Sequence, residues 1–287
     1  MADVAGRTAT RKTSDLHHAQ VVRTKRLTPH MVRVVLGGGS LAEFPGGQHT
    51  DAYVKLLFPV PGVTYPEPFD ITRIRAEFPR DQWPATRTYT VRRWDAELRE
   101  LTLDFVVHGT TGLAGPWAES ARPGDSIRFL GPGGAYSPRT EADWHLLAGD
   151  ESALPAIAAA LEQLPAGATV RALLEVSDRT EEQQLSVPAG VEVNWLHRGT
   201  ARPGELLLPA VRSLDFPAGR VHAFVHGEAG MVKELRRHLR LDRAVPREDL
   251  SISGYWRLGH DESGWQASKK EWNARVEAEQ EGDRQPA

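Results

Sequence analysis

Residues 87–92, with the sequence Arg-Thr-Tyr-Thr-Val-Arg, combine the side chains that a flavin-binding strand needs. A flavin requires a cation for its phosphates, a flat surface for its ring system, and hydrogen bonds near N5 and the pyrimidine edge. A guanidinium binds phosphate through paired hydrogen bonds, and a phenol ring can stack on the flavin. Alternate residues of a strand share a face, so Arg87 and Tyr89 can act together. The predicted cofactor contacts here are Arg87, Thr88, Tyr89, Thr90 and Val91.

The same residues also make an ordinary strand of high β propensity, so the context of the segment has to decide. Residues 107–118 are rich in glycine and are typical of a strand that ends and then opens a helix. Backbone N–H groups at a helix start can bind a pyrophosphate. The alternative is a plain glycine-rich turn with Pro116 at the first helical position. The predicted cofactor contacts of this segment are His108, Gly109, Gly112, Leu113, Ala114, Gly115 and Trp117.

The composition of the 287-residue chain excludes several other kinds of chemistry. It has no cysteine, so disulfides, thiolate-held iron-sulfur clusters and thiol nucleophiles are ruled out. A net charge of -3 gives no reason to expect a nucleic-acid partner. Neither a Gly-x-Ser-x-Gly nor a His-Glu-x-x-His motif occurs. We predict that His17-His18 is a solvated feature and Glu181-Glu182 a charged loop.

No apolar run reaches 18 residues, and the first 14 residues lack the apolar core of a signal peptide. We therefore expect a cytoplasmic protein without membrane insertion.

The elements that must position these residues change character along the chain. The first half has short alternating runs separated by Gly and Pro turns, which are typical of half-buried antiparallel strands. About six such strands predict a small β-barrel. They are residues 20–23, 31–36, 53–58, 87–92, 101–107 and 126–130.

After Pro138, strands alternate with helices, which predicts a parallel, doubly wound sheet. The predicted strands are 144–148, 168–176, 191–196, 221–225 and 250–253, and the predicted helices are about 152–164, near 205–213, and 229–239.

A C-terminal helix is predicted beyond Gly259. Ser263 and Gln266 have the spacing of a capping box, and Trp265, Trp272 and Val276 share one helical face. We expect this helix to fray by residue 282. The predicted division of the chain is a flexible tail at 1–15, a barrel domain at 16–138, an α/β domain at 139–259, and a helix with a tail at 260–287.

Seven landmarks, in order, resemble the siderophore-interacting protein family, which comprises FAD-dependent ferric-siderophore reductases of the ferredoxin-reductase-like superfamily. They are residues 87–92, 108–118, 123–125, 131–134, 149–156, 226–229 and 254–257. The resemblance implies an N-terminal antiparallel six-stranded β-barrel that carries FAD and a C-terminal α/β domain that receives a nicotinamide donor. It implies that Arg87 contacts the flavin phosphate, that Tyr89 stacks on the ring and that Thr90 lies near N5. It implies that His108 and residues 112–117 hold FAD.

Ligands of a parallel sheet collect at the carboxyl ends of its strands, so the loops there are the nicotinamide candidates. They are Gly149, Asp150, Glu151, Ser177, Arg179, Gly227 and Glu228. Two carboxylates at Asp150 and Glu151 would repel a pyrophosphate, and capping of the following helix by Asp150 is the alternative explanation. Arg179 suits the extra phosphate of NADPH, whereas Asp178 suits the ribose hydroxyls of NADH, which we weakly favour.

A ferric siderophore is usually anionic and bulky, so its site is expected to be open and basic. The candidates are Lys55 and Arg257, with Trp256, and Arg139 as a weaker third. We expect reduced FAD to pass single electrons to Fe(III), with no side chain acting as acid, base or nucleophile, and Fe(II) to leave its hard ligands inside the cell for use in iron acquisition. The alternatives are a flavin reductase that serves a partner protein and a non-catalytic siderophore-binding protein. Ferredoxin is an alternative donor, and the oligomeric state is left open.

Overall fold

The N-terminal half of the chain closes into an antiparallel barrel. The structure, a computed structural model, describes residues 16–110 and 112–282, so the tail predicted at 1–15 lies outside the described residues. The strands are β1 (Leu16–Thr28), β2 (Met31–Gly37), β3 (Tyr53–Phe58), β4 (Ala85–Asp95), β5 (Glu100–Val106) and β6 (Ser126–Gly133). Their order around the barrel is β1-β2-β5-β4-β3-β6. The predicted six-stranded barrel is confirmed.

Alternating apolar residues fill the barrel because successive side chains of a strand point to opposite faces. Val54 and Leu56 of β3 and Leu103 and Phe105 of β5 are buried in one apolar cluster. His17 is also buried, with its ring 5.2 Å from that of Phe44 in the same core. The prediction that His17 is solvated is therefore wrong, because β1 begins earlier than the sequence pattern indicated. Two helices join the barrel strands, α1 (Ile71–Glu77) and α2 (Ala114–Ser120).

The second half forms a five-stranded parallel sheet in the order β11-β10-β7-β8-β9. The strands are β7 (Trp144–Asp150), β8 (Val170–Val176), β9 (Val193–His197), β10 (Val221–Glu228) and β11 (Leu250–Trp256). The helix α3 (Leu154–Gln163) contributes to one apolar cluster of the sheet. The helices α4 (Leu207–Arg212) and α5 (Ala229–Arg237) contribute to another. The predicted alternation of strands and helices is confirmed.

The C-terminal helix α6 (Glu262–Gly282) docks through its aromatic face. Trp265 and Val276 are buried, and the ring of Trp272 lies 6.2 Å from that of Trp265. The predicted capping box is wrong. The carboxylate of Asp261 accepts a hydrogen bond from the backbone N–H of Gly264 at 2.6 Å, so the helix begins earlier and Ser263 lies inside its first turn. No helix in the described ranges has the length and apolar character needed to cross a membrane.

The two domains meet where α3 packs against β4. Both terminal nitrogens of Arg92, on β4, donate to the carboxylate of Glu162, on α3, at 2.9 and 2.5 Å. The buried carboxylate of Asp104 accepts two hydrogen bonds of 2.7 Å from Arg33 and lies 3.9 Å from Nε of Arg92. The last residue of the 87–92 segment therefore links the two domains.

Candidate functional site

Among the described residues, the first half of β4 pairs with a neighbouring barrel strand on one side only. Residues 85–90 pair with β3, whereas the pairing with β5 begins at Val91 and continues to Asp95. In the described part of the chain, the edge of β4 before Val91 is therefore not covered by β5. The backbone N–H of Thr88 donates instead to the carboxylate of Glu262 on α6. An open strand edge offers backbone groups to a ligand.

Three aromatic rings in contact lie beside this unpaired edge of β4. The ring of Tyr89 lies 4.2 Å from that of Phe105, which in turn lies 5.6 Å from the ring of Trp117 on α2. Burial raises the pKa of the Tyr89 phenol well above its usual value, and the nearby charge of Glu262 acts in the same direction. The phenol is therefore neutral at physiological pH and suited to stacking. Thr90 and Val91 are buried in the barrel wall.

The glycine-rich turn before α2 has open space above it. Gly109 and Gly112 adopt φ values of 61° and 88°, which favour glycine. Among the residues that the structure describes, none has a heavy atom within 4 Å of a Cβ placed at either glycine. Leu113 is exposed, whereas Ala114 is buried in the barrel core. Ala114 therefore anchors the turn and the glycines leave room for a ligand, which fits a pyrophosphate group.

His108 is an exposed residue near charged groups of both domains. Its pKa is lowered, chiefly because part of the ring is withdrawn from water, and further by His30 and Arg198. The imidazole is therefore neutral at pH 7. A neutral ring can donate one hydrogen bond and accept another, which suits a polar ligand without adding a second cation.

Glu181 lies at the contact between the domains, near His108, and the sequence pattern did not indicate this role. Its carboxylate accepts hydrogen bonds from the hydroxyl of Thr28 at 2.5 Å and from the backbone N–H of His30 at 3.1 Å. The predicted charged loop is therefore wrong for Glu181, which is buried. Its only sequence signal was a charge next to another charge, and such pairs are usually solvated.

The carboxylates of the nicotinamide candidates at the carboxyl ends of β7 and β10 already accept hydrogen bonds from other groups of the protein. One carboxylate oxygen of Asp150 accepts from the backbone N–H and the hydroxyl of Ser152, at 2.9 and 2.5 Å. The other accepts from the backbone N–H of Glu228 and the indole Nε1 of Trp256, both at 2.8 Å. Burial raises the pKa of Asp150, and these donors oppose that shift. The predicted role of Asp150 as a helix cap is only half right, because its carboxylate ties together the ends of three strands.

The other loop candidates divide into a packed and an exposed group. A Cβ at Gly149 would lie 2.5 Å from that of Ala153, so this glycine serves close packing. Gly227 is equally crowded, by the side chain of Asp150. Glu151 forms an ion pair of 2.6 Å with Arg198. Ser177 is half-buried and Arg179 exposed, in the turn that follows β8. Their contacts with a nicotinamide donor stay a prediction.

The basic substrate candidates Lys55 and Arg257 both lie near α6, and their predicted clustering stays a prediction. Lys55 is exposed on β3, and its charge helps lower the pKa of Lys269 on α6, although burial is the larger cause. Arg257 stacks on the ring of Trp272, with its guanidinium carbon 4.0 Å from the ring centre. The charge of Lys55 therefore reaches Lys269, a relationship that the sequence pattern did not indicate.

Arg139 is separated from this pair. Its guanidinium donates to Asp249 at 2.8 Å, and its backbone N–H donates to His222 near the start of β10. Asp249 immediately precedes β11, so Arg139 lies at the amino ends of the strands. Its assignment as a substrate residue stays a prediction. Trp256 donates to Asp150 and thus has a structural role.

Comparisons with known proteins cover both domains. The family model described as siderophore-interacting FAD-binding domain matches residues 20–136, and the model described as siderophore-interacting protein matches residues 142–259. The ferric vibriobactin reductase ViuB of Vibrio cholerae is 34% identical over 85% of this chain and 90% of the relative. The NADPH-dependent ferric-chelate reductase of Escherichia coli is 30% identical over 82% of this chain and 91% of the relative.

Solved structures agree with these matches. The crystal structure of a siderophore utilization protein from T. fusca is 42% identical, with a TM-score of 0.74 over 86% of this chain and 95% of that chain. A ferredoxin reductase of carbazole 1,9a-dioxygenase is 16% identical, with a TM-score of 0.60 over 84% of this chain and 69% of that chain. The latter likeness shows the ferredoxin-reductase-like fold alone, and it confirms the predicted fold class.

Proposed function

The chain belongs to the siderophore-interacting protein family, and from this we propose that it is an FAD-dependent reductase of ferric siderophores. Relatives that match it over most of their length carry the names ferric vibriobactin reductase and NADPH-dependent ferric-chelate reductase. The observation in this structure that carries the proposal is the open edge of β4. It places Arg87 and Tyr89 on a stretch of strand that β5 does not pair with, next to a glycine turn that has room for a ligand.

The residues at this opening fit an FAD. Arg87 would hold a phosphate and Tyr89 would lie against the ring system, because they share the face of one strand. Gly109 and Gly112 would allow the pyrophosphate to approach the backbone closely. His108 would bind as a neutral imidazole. We place the domain limits at residues 138 and 259. They separate a barrel that would bind the cofactor from an α/β domain that would receive the electron donor.

When bound, FAD supplies a carrier that takes up two electrons and releases them singly. The chain's own residues bind and orient the reactants, so the reaction requires no side chain as acid, base or nucleophile. Lys55 is exposed beside the strand proposed to bind flavin, since it pairs with Thr88 across β3 and β4, and the half-buried Lys269 adds a second basic group within reach of its charge. An anionic ferric siderophore is the substrate that such a surface attracts. Hard oxygen ligands hold Fe(II) less tightly than Fe(III), so reduction favours release of the metal.

A nicotinamide nucleotide is the proposed electron donor, and one relative is named for its use of NADPH. Ser177 and Arg179 are the best placed of the candidate residues, because the polar groups of Asp150 and Glu228 are already engaged within the protein. Ferredoxin is retained as the alternative donor, and a cytoplasmic location belongs to the same proposal.

An absorption spectrum of the purified protein, followed by anaerobic additions, tests the function. We expect a flavin spectrum that NADH or NADPH bleaches and that a ferric siderophore restores, with one flavin oxidised for every two Fe(III) ions reduced. Bleaching without reoxidation by any ferric siderophore would favour a flavin reductase that serves a partner protein. A colourless protein that cannot be reconstituted with FAD would contradict the proposal and favour a siderophore-binding protein.

A further inference from the structure

The first turn of α6 lies directly on the strand proposed to hold FAD. One carboxylate oxygen of Glu262 lies 3.3 Å from Nε of Arg87, and the other accepts a hydrogen bond of 3.1 Å from the backbone N–H of Thr88. The hydroxyl of Ser263 accepts a further hydrogen bond of 3.1 Å from Nη1 of Arg87. The side chain of Glu262 thus contacts both the guanidinium of Arg87 and the backbone N–H of Thr88 on the strand proposed to bind flavin.

This contact is more sheltered than an ordinary surface ion pair. The side chain of Arg87 is 11% exposed and that of Glu262 is 29% exposed. Exposed pairs are screened by water and salt, whereas partly buried pairs are screened much less. A second anion brought to the same guanidinium would meet the repulsion of the Glu262 carboxylate. A phosphate therefore competes with Glu262 for Arg87.

Other contacts hold α6 in place independently of Glu262. Trp265 is fully buried, and farther along the helix Glu279 forms an ion pair of 2.5 Å with Lys233 on α5. Asp261 caps the helix start. Removing the charge of Glu262 should therefore leave the helix docked and change only what its first turn presents to Arg87.

We propose that Glu262 sets the affinity for FAD: its carboxylate competes with the cofactor phosphates for Arg87, so FAD binding requires the first turn of α6 to release this strand. The inference rests on the proposed function. Glu262 acts through Arg87 and is a positioning residue. The C-terminal helix thereby couples occupancy of the cofactor site to its own first turn.

The test is FAD binding by the full chain carrying Glu262→Gln, measured by quenching of flavin fluorescence and by stopped-flow association. If the carboxylate holds Arg87 about ten times out of eleven, removing its charge lowers the Kd for FAD about tenfold. The gain should appear in the association rate constant, because the competitor no longer has to leave. Glu271→Gln is the matched control, since Glu271 is exposed on the same helix and its change alters the net charge equally.

Unchanged or weaker FAD binding by a folded Glu262→Gln protein would overturn the inference. Should that variant misfold, Glu262→Asp provides a second test, because the shorter side chain weakens the contact with Arg87 and is expected to tighten FAD binding by a smaller factor. If the wild type binds FAD and both Glu262 variants bind it with the same affinity, the inference is contradicted but the proposed function is not. Failure of the wild type and every variant to bind FAD contradicts the proposed function and the inference with it.

Discussion

Nδ1 of His30, on the barrel, lies 2.7 Å from a carboxylate oxygen of Glu181, on the α/β domain. The same carboxylate accepts hydrogen bonds from Thr28 and from the backbone of His30, and its side chain is only 2% exposed. Groups of the barrel domain therefore supply the hydrogen bonds that water would otherwise give to the Glu181 carboxylate. This contact joins the β1–β2 hairpin to the turn after β8 and helps set the relative position of β4 and the loops at the carboxyl ends of the parallel strands.

Replacement of Glu181 by alanine should destabilise the protein. It leaves the Thr28 hydroxyl and the His30 N–H without their acceptor, and we expect a loss of about 1–3 kcal/mol in the free energy of unfolding. Urea denaturation measures the loss. Glu182→Ala is the control, because Glu182 makes only a surface pair with His197 and should cost less than about 1 kcal/mol. Equal losses in the two variants would show that Glu181 has no special role at the interface.

Arg87→Ala should leave the protein without FAD after purification. The variant loses the guanidinium proposed to bind the phosphates, and a charge-assisted contact of about 2–3 kcal/mol corresponds to roughly 30- to 150-fold in Kd. The ratio of flavin to protein absorbance reports the loss, and fluorescence titration gives the Kd. Arg93→Ala is the matched control, because Arg93 is an exposed arginine of the same strand that pairs with Asp95. Full flavin retention by Arg87→Ala rules out the phosphate role.

The double change Lys55→Ala and Lys269→Ala should raise the KM for an anionic ferric siderophore about tenfold and change kcat little, because it removes long-range attraction. The two charges lie close enough for Lys55 to help lower the pKa of Lys269. Steady-state kinetics at low and high salt measure the effect, which should shrink as salt is added. Lys270→Ala, next along the helix and exposed, should behave like the wild type. A KM that stays the same at low salt rejects this surface as the substrate site.

Stability should fall as the pH drops from 7.5 to 5.5, because two buried histidines resist protonation in the folded protein. Burial lowers the pKa of His226 to about 3, with help from the charge of Lys269, and that of His222 to about 4, with help from Arg139. Both bases have the ordinary value of 6.5 when unfolded. Below that pH the unfolded chain binds protons that the folded chain does not, and the loss continues until the folded pKa is reached.

Each histidine should contribute about 1.4 kcal/mol in total between pH 7.5 and pH 5.5, with the steepest loss below pH 6.5, measured by urea denaturation across this range. His226→Gln should remove one histidine's share of the slope, whatever its own effect on stability at pH 7.5. A variant slope as steep as that of the wild type would mean that His226 is not responsible.

Parts of the candidate site could be predicted from the sequence because they depend on local chemistry. The 87–92 run shows a cation and an aromatic ring two residues apart, and the strand period alone puts them on one face. Gly109 and Gly112 were identifiable because a glycine-rich run before a predicted helix lets a ligand approach the backbone closely. Asp150 was harder, since a helix cap and a hub for three strand ends have the same sequence signature.

The sequence by itself determined the two-domain architecture, the strand that carries Arg87 and Tyr89, and the docking of α6 by its tryptophans, because these follow from periodicity and residue type over short stretches. Only the tertiary structure decided that Glu262 meets Arg87, that Lys269 joins Lys55, and that Arg139 lies at the other end of the sheet. In sequence, more than 80 residues separate Arg87 from Glu262, Lys55 from Lys269, and Arg139 from its partner Asp249. Their meeting depends on how the domains and the last helix pack, which no local pattern records.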